Sequence, residues 1–204
     1  MSFRSASAPH VVPYLVLVLL LTMPVWTILT RPGLPLTQVG PLPVLQLQAT
    51  TQGQMSLSLA RLINAMGADA LAAIKLNALL ALLLLVIGVF SWARVSAGSR
   101  AGVLAAVVVA FAPLFLSTLF RDGDWSLLWM MTGLVWAAFG LLLAPWWGLA
   151  LAGVGVFVAT AAHPGLGVWA VGGLVLLASG NKRWFGIVAL LVGGAIGVLL
   201  STPW

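Results

Sequence analysis

The sequence contains no cysteine and no glutamate, and its only acidic side chains are Asp69, Asp122 and Asp124. Zero cysteine excludes disulfides, thiolate catalysis and cysteine-ligated zinc or iron–sulfur centres. Three carboxylates in 204 residues leave little material for acid–base pairs or for an all-carboxylate cation cage. Charged residues make up 6% of the chain, whereas a soluble surface needs roughly a quarter to a third of its positions charged. The nine Lys and Arg are scattered singly or in pairs. No basic track follows a phosphate backbone, so nucleic acid is not an expected partner.

What is present is apolar: 62% of the residues are hydrophobic. Several runs of about 17 to 25 apolar residues are long enough to cross a hydrocarbon core of about 30 Å at ~1.5 Å per residue. They lack the in–out alternation of membrane barrel strands. The expected fold is therefore all-α, a polytopic transmembrane helix bundle forming one domain over residues 1–204, with the lipid bilayer as its first partner. Seven spans are predicted, at 12–30, 70–92, 102–120, 126–144, 146–162, 165–179 and 184–201. The first has Arg4 ahead of an apolar run, as a signal peptide does, but Pro24 interrupts it and no small-x-small cleavage pattern follows at "TILTRPG". It reads as a retained anchor. The short fifth and sixth spans, joined by "AAHPG", are predicted as a hairpin that barely crosses or dips in from one side.

With the N-terminus cytoplasmic, Arg4, Arg94, Arg100, Lys182 and Arg183 fall inside, and Arg31, Arg61 and Arg121 fall outside. The prediction is a plasma or inner membrane protein with its N-terminus in and its C-terminus out. The stretch from Arg31 to about Ala68 is then an external loop. Its first half carries four Pro and three Gly, which excludes a helix there. In its second half Met55, Leu59, Leu62, Ile63 and Met66 recur at helical spacing, predicting an amphipathic helix over 54–66 that lies in the membrane plane. Gly67 is placed to end it in a left-handed conformation, and Asp69 to favour the start of the next span.

The stretch from Gly67 to Leu116 resembles the second and third membrane helices of the GT-C superfamily, the glycosyltransferases that use polyprenyl-phosphate-linked sugar donors. The features carrying the resemblance are Gly67, Asp69, Lys75-Leu76, Arg94, Arg100-Ala101 and Ala112-Pro113-Leu114-Phe115, in that order and spacing. The in-plane helix before them and "GLALAGVGVFVATAAHPGLGVW" after them also resemble family segments. The likeness covers most of this chain but only the N-terminal half of a typical member. One departure stands out: sugar-transferring members place an acid in the first external loop, and here that loop has none before Asp69. Gln46, Gln48, Gln52 and Gln54 cannot act as a general base or neutralise a divalent cation.

"RDGDW" at 121–125 falls in the second external loop. In the family reading Asp122 and Asp124 bind Mg²⁺ or Mn²⁺ and are the catalytic candidates, while Arg61, Lys75 and Arg121 lie near the donor's lipid phosphate. The competing reading is a polar turn between two spans, with Arg121 neutralising Asp122 and an Asp capping the next helix. Lys75, one to two turns into a span, either snorkels to the external interface or pairs with Asp122, Asp124 or a lipid phosphate. His163 is a ligand for haem or chlorophyll, an acid–base group, or an interfacial polar residue beside Pro164.

Trp26, Trp92, Trp125, Trp146, Trp147, Trp184 and Trp204 fall near span ends, as an aromatic belt requires. Trp125, Trp129, Trp136 and Phe139 recur along one face of the fourth span, a rigid surface suited to lipid tails or a partner helix. Gly148, Ala152 and Gly155, like Gly186, Gly193 and Gly197, permit close helix contact inside the bundle or with another subunit. Two functions follow. The chain is a non-catalytic accessory or scaffold subunit of a larger membrane assembly, or a glycosyltransferase, whole or part, using a polyprenyl-phosphate donor on the external face. The missing first-loop acid favours the first. A transporter ranks third, since no buried acid offers a coupling-ion site.

Overall fold

A computed structural model describes residues 57–112, 125–143, 146–180 and 184–201. The expected span 12–30, the loop before Leu57, the C-terminal part of the expected span 102–120, and Arg121, Asp122 and Asp124 lie outside the described residues. Seven α-helices make up the described regular structure, with no strand among them: α1 Ser58–Ala65, α2 Ala70–Ala97, α3 Ser99–Phe111, α4 Trp125–Leu142, α5 Trp146–Ala162, α6 Pro164–Gly180 and α7 Trp184–Ser201. By length and composition α2, α4 and α7 are able to cross a membrane, and α3, α5 and α6 are shorter apolar helices.

Local chemistry sets the breaks. Gly67 takes φ of 98°, and the Ala68 N–H donates to the Ile63 carbonyl, closing α1 in a Schellman-type turn. Asp69 caps α2: its carboxylate accepts from the Leu71 N–H at 3.2 Å. Gly98, with φ of 92°, is the single residue between α2 and α3. Pro164 opens α6 at the one helical position where its missing N–H costs nothing.

The helices pack in a row. α2 lies between α3 and α4, α4 meets α5, and α5 holds α6 and α7. Neighbouring glycines give the directions. A Cβ added at Gly155 would stand 2.5 Å from the Gly133 carbonyl oxygen, and one at Gly140 would stand 2.6 Å from the Gly148 carbonyl oxygen, so α4 and α5 run antiparallel with their backbones touching. Gly193 meets Gly153, and Gly197 meets Phe157 and Thr160, so α7 runs parallel to α5. The small-residue spacings thus serve contacts within the chain: α5 uses them toward α4 and α7 uses them toward α5. Apolar burial gains nothing over lipid tails in a bilayer, so close backbone approach supplies the packing energy instead.

Two apolar clusters result. One joins α1, α2, α3 and the first half of α4 around Ile74, Leu82, Leu85, Phe90 and Leu128. The other joins the second half of α4 to α5, α6 and α7 around Ala137, Val156 and Leu190.

Helix α1 falls within the expected 54–66, of which residues 54–56 lie outside the described residues. Leu57 and Ala60 are buried and Ile63 packs on the first cluster, whereas Leu62 and Met66 are exposed. The small side chain of Ala60 lets α1 approach α2, which settles the packing face in place of the widest apolar stripe.

Candidate functional site

The start of α2 gathers the titratable candidates at one end of the bundle. Asp69 is exposed at the cap, and Lys75 is 9% exposed one and a half turns further on. Both line one recess of about 320 Å³, together with Leu71, Ala72 and Leu76. Most of the Lys75 side chain is covered by protein, and it shares the recess with Asp69 at the helix start. Arg61 is half-buried on α1, which packs against this part of α2. Its expected companions Arg121, Asp122 and Asp124 lie outside the described residues.

Asn77, two residues beyond Lys75, is fully buried. Reading the sequence as an unbroken apolar span passed over it, although an Asn in "KLNALL" is a polar group inside a membrane helix and so a functional candidate by default. Thr132 and Thr160 are buried as well. The Thr132 hydroxyl lies 2.9 Å from the Leu128 carbonyl of its own helix and 3.1 Å from the Ala81 carbonyl of α2. It shares its proton between the two and ties α4 to α2.

The aromatic face of α4 is turned into the bundle. Trp125 is buried, Trp129 packs against the first cluster, and the Trp136 indole N–H donates to the Leu84 carbonyl at 3.0 Å. Phe139 meets Trp136 edge-on, with ring centroids 5.9 Å apart. The partner helix for this face is α2 of the same chain. The indole N–H groups of Trp125 and Trp129 are buried with no hydrogen-bond partner among the described residues. Trp146, Trp147, Trp169 and Trp184 are by contrast strongly exposed.

His163 is a helix cap. Its Nδ1 accepts from the Leu166 N–H at 3.3 Å across the first turn of α6. That bond commits one ring nitrogen and leaves only Nε2 for any other partner. An apolar groove of about 460 Å³ lies between α6 and α7, floored by Thr160 and Gly194 and walled by Val168, Val171, Leu191 and Val198.

Among the described residues no group of three His, Asp, Glu or Cys comes together to hold a metal ion. The chain's other two side-chain carboxylates, Asp122 and Asp124, lie outside the described residues. No family model, no curated protein and no solved structure matches this chain.

Proposed function

We propose that this chain is a non-catalytic integral membrane subunit, a scaffold within a larger membrane assembly, built on a bundle similar to the N-terminal half of GT-C proteins. The observation that carries this reading is the use made of Asp69. It is the only carboxylate among the described residues, and it is engaged as the cap of α2. Meanwhile α6 and α7 carry wide apolar faces that are exposed among the described residues, among them Trp169, Leu176, Val188, Leu191 and Leu200. In a membrane such faces meet lipid tails or other subunits. Helix α1 lies in the external membrane plane with Leu62 and Met66 toward the lipid, and the N-terminus is cytoplasmic.

Gentle detergent extraction from the native membrane, followed by native-gel mass spectrometry, tests the reading. Stoichiometric co-migration with other membrane subunits supports it, and migration alone overturns it.

A second reading is favoured by one observation. The recess of Asp69 and Lys75, the neighbouring Arg61 and the start of α4 at Trp125 all stand at the same end of the bundle, where the connection carrying Asp122 and Asp124 enters α4. On that reading the chain transfers a sugar from a polyprenyl-phosphate donor. Asp122 and Asp124 hold Mg²⁺ or Mn²⁺, and Arg61, Lys75 and Arg121 attend the phosphate. Loss of sugar transfer in Asp122→Asn and Asp124→Asn would establish it.

A further inference from the structure

The turn between α2 and α3, at the opposite end of α2, carries a separate pattern. The Gly98 N–H donates to the Arg94 carbonyl at 3.0 Å, and the Gly98 carbonyl accepts from the Gly102 N–H at 3.1 Å. Because α3 starts immediately, Arg94 and Arg100 both lie within about one turn, ~6 Å along a helix axis, of the same residue. Gly102 lets α3 settle on this corner, since a Cβ there would stand 3.0 Å from the Phe90 carbonyl and 3.1 Å from the Arg94 Cβ. The Arg94 guanidinium lies 5.9 Å from the Phe90 ring centroid. Arg100 is exposed, and so is the Trp92 side chain, at the same depth two residues before Arg94 on α2.

Depth and charge point the same way. Lys75 and Arg94 stand nineteen residues apart on α2, or ~28 Å at ~1.5 Å per residue, close to the ~30 Å of a hydrocarbon core. With Lys75 at one border of that core, Arg94 is at the other, level with the lipid phosphates. Tryptophan with arginine is the composition of that boundary. Among the described residues this end of the bundle has no acid, because Asp69 stands at the other end of α2. In sequence Lys182 and Arg183 fall between α6 and α7, whose junction is on the same side as the α2–α3 turn.

We propose that the α2–α3 turn is a binding site for an anionic phospholipid, with Arg94 and Arg100 holding the headgroup phosphate and Trp92 fixing the depth. A zwitterionic lipid presents the same phosphate beside its own ammonium, so two cations at an end of the bundle that holds no acid among the described residues favour the lipid that lacks that ammonium. The proposal rests on the membrane reading of the chain and not on its role in an assembly.

The test uses the full chain reconstituted in phosphatidylcholine bilayers with a trace of spin-labelled phosphatidylglycerol or spin-labelled phosphatidylcholine. The motionally restricted fraction reports association with each lipid. Wild type is expected to favour phosphatidylglycerol several-fold, R94Q/R100Q to fall to parity, and R94K/R100K to keep most of the preference. R100Q alone, at an exposed position, is expected to leave a preference between that of wild type and parity, which covers the case in which the double variant misfolds. Equal association of both lipids with an inserted wild-type chain, or a preference that survives R94Q/R100Q, overturns the proposal alone. Release of the wild-type chain by alkaline carbonate overturns it together with the membrane reading.

Discussion

The indole nitrogen of Trp136 donates to the Leu84 carbonyl oxygen at 3.0 Å, a side chain of α4 bonding to the backbone of α2. The carbonyl already accepts within its own helix, so the indole uses its second lone pair. Phe cannot make this bond but fills much of the same space beside Gly88, which lies against the Trp136 ring. Trp136→Phe is expected to lower stability by about 0.6 kcal/mol, the usual worth of an interhelical hydrogen bond in a membrane protein. Trp136→Ala, which leaves a void, is expected to cost about 3 to 5 kcal/mol. Unfolding titrations in mixed micelles measure both.

The glycines separate into two groups with opposite expectations. A methyl group at Gly140 or Gly155 runs into the backbone of the facing helix, so Gly140→Ala and Gly155→Ala are expected to destabilise by about 1 to 3 kcal/mol. At Gly172 and Gly173 nothing lies within 4 Å of an added Cβ. There Gly→Ala is expected to be neutral or to stabilise by up to about 1 kcal/mol, the difference in helix propensity. The same titrations decide it, and equal losses at all four sites would refute the backbone-contact account.

Asp69 is expected to matter through its cap. Asp69→Ala loses the acceptor for the Leu71 N–H and is expected to cost about 1 kcal/mol, while Asp69→Asn and Asp69→Ser retain most of the stability. If Asp69→Asn is as damaging as Asp69→Ala, the carboxylate charge itself is needed and the cap does not account for it.

His163 follows the same logic. His163→Asn, which offers an acceptor to the Leu166 N–H, is expected to preserve stability, and His163→Ala to lose up to about 1 kcal/mol. A haem or chlorophyll retained by the purified wild-type chain, and lost from His163→Asn, would return this residue to a ligand role.

Much of the fold was legible because apolar runs and their interruptions are one-dimensional signals. The expected spans 146–162 and 184–201 coincide with α5 and α7, and Gly67 and Asp69 end α1 and start α2 as their chemistry requires. What the sequence could not supply was the identity of each contact. Glycine spacing shows that a neighbour comes close without showing which neighbour, and Gly148 and Gly155 turn out to face α4. The aromatic stripe of α4 is as compatible with lipid as with α2. Only the assembled geometry shows Trp136 reaching Leu84. For α1 the apolar stripe did not show which residues meet α2, because Ala60 counts for little in hydrophobicity and for much in closeness. The role of His163 had a usable signal in the Pro164 that follows it, since a residue before a helix-opening proline stands in the cap position.

The two apolar clusters are joined where α4 meets α5, and there Gly133, Gly140, Gly148 and Gly155 bring main chain against main chain beside the small side chains of Ala137 and Ala152. Side chains hop between rotamers and so let helices slide over one another in small steps. Where main chain touches main chain there are no such intermediate settings. The junction is expected to behave as a rivet rather than a bearing, passing a push on α7 from a neighbouring molecule through α5 to α4.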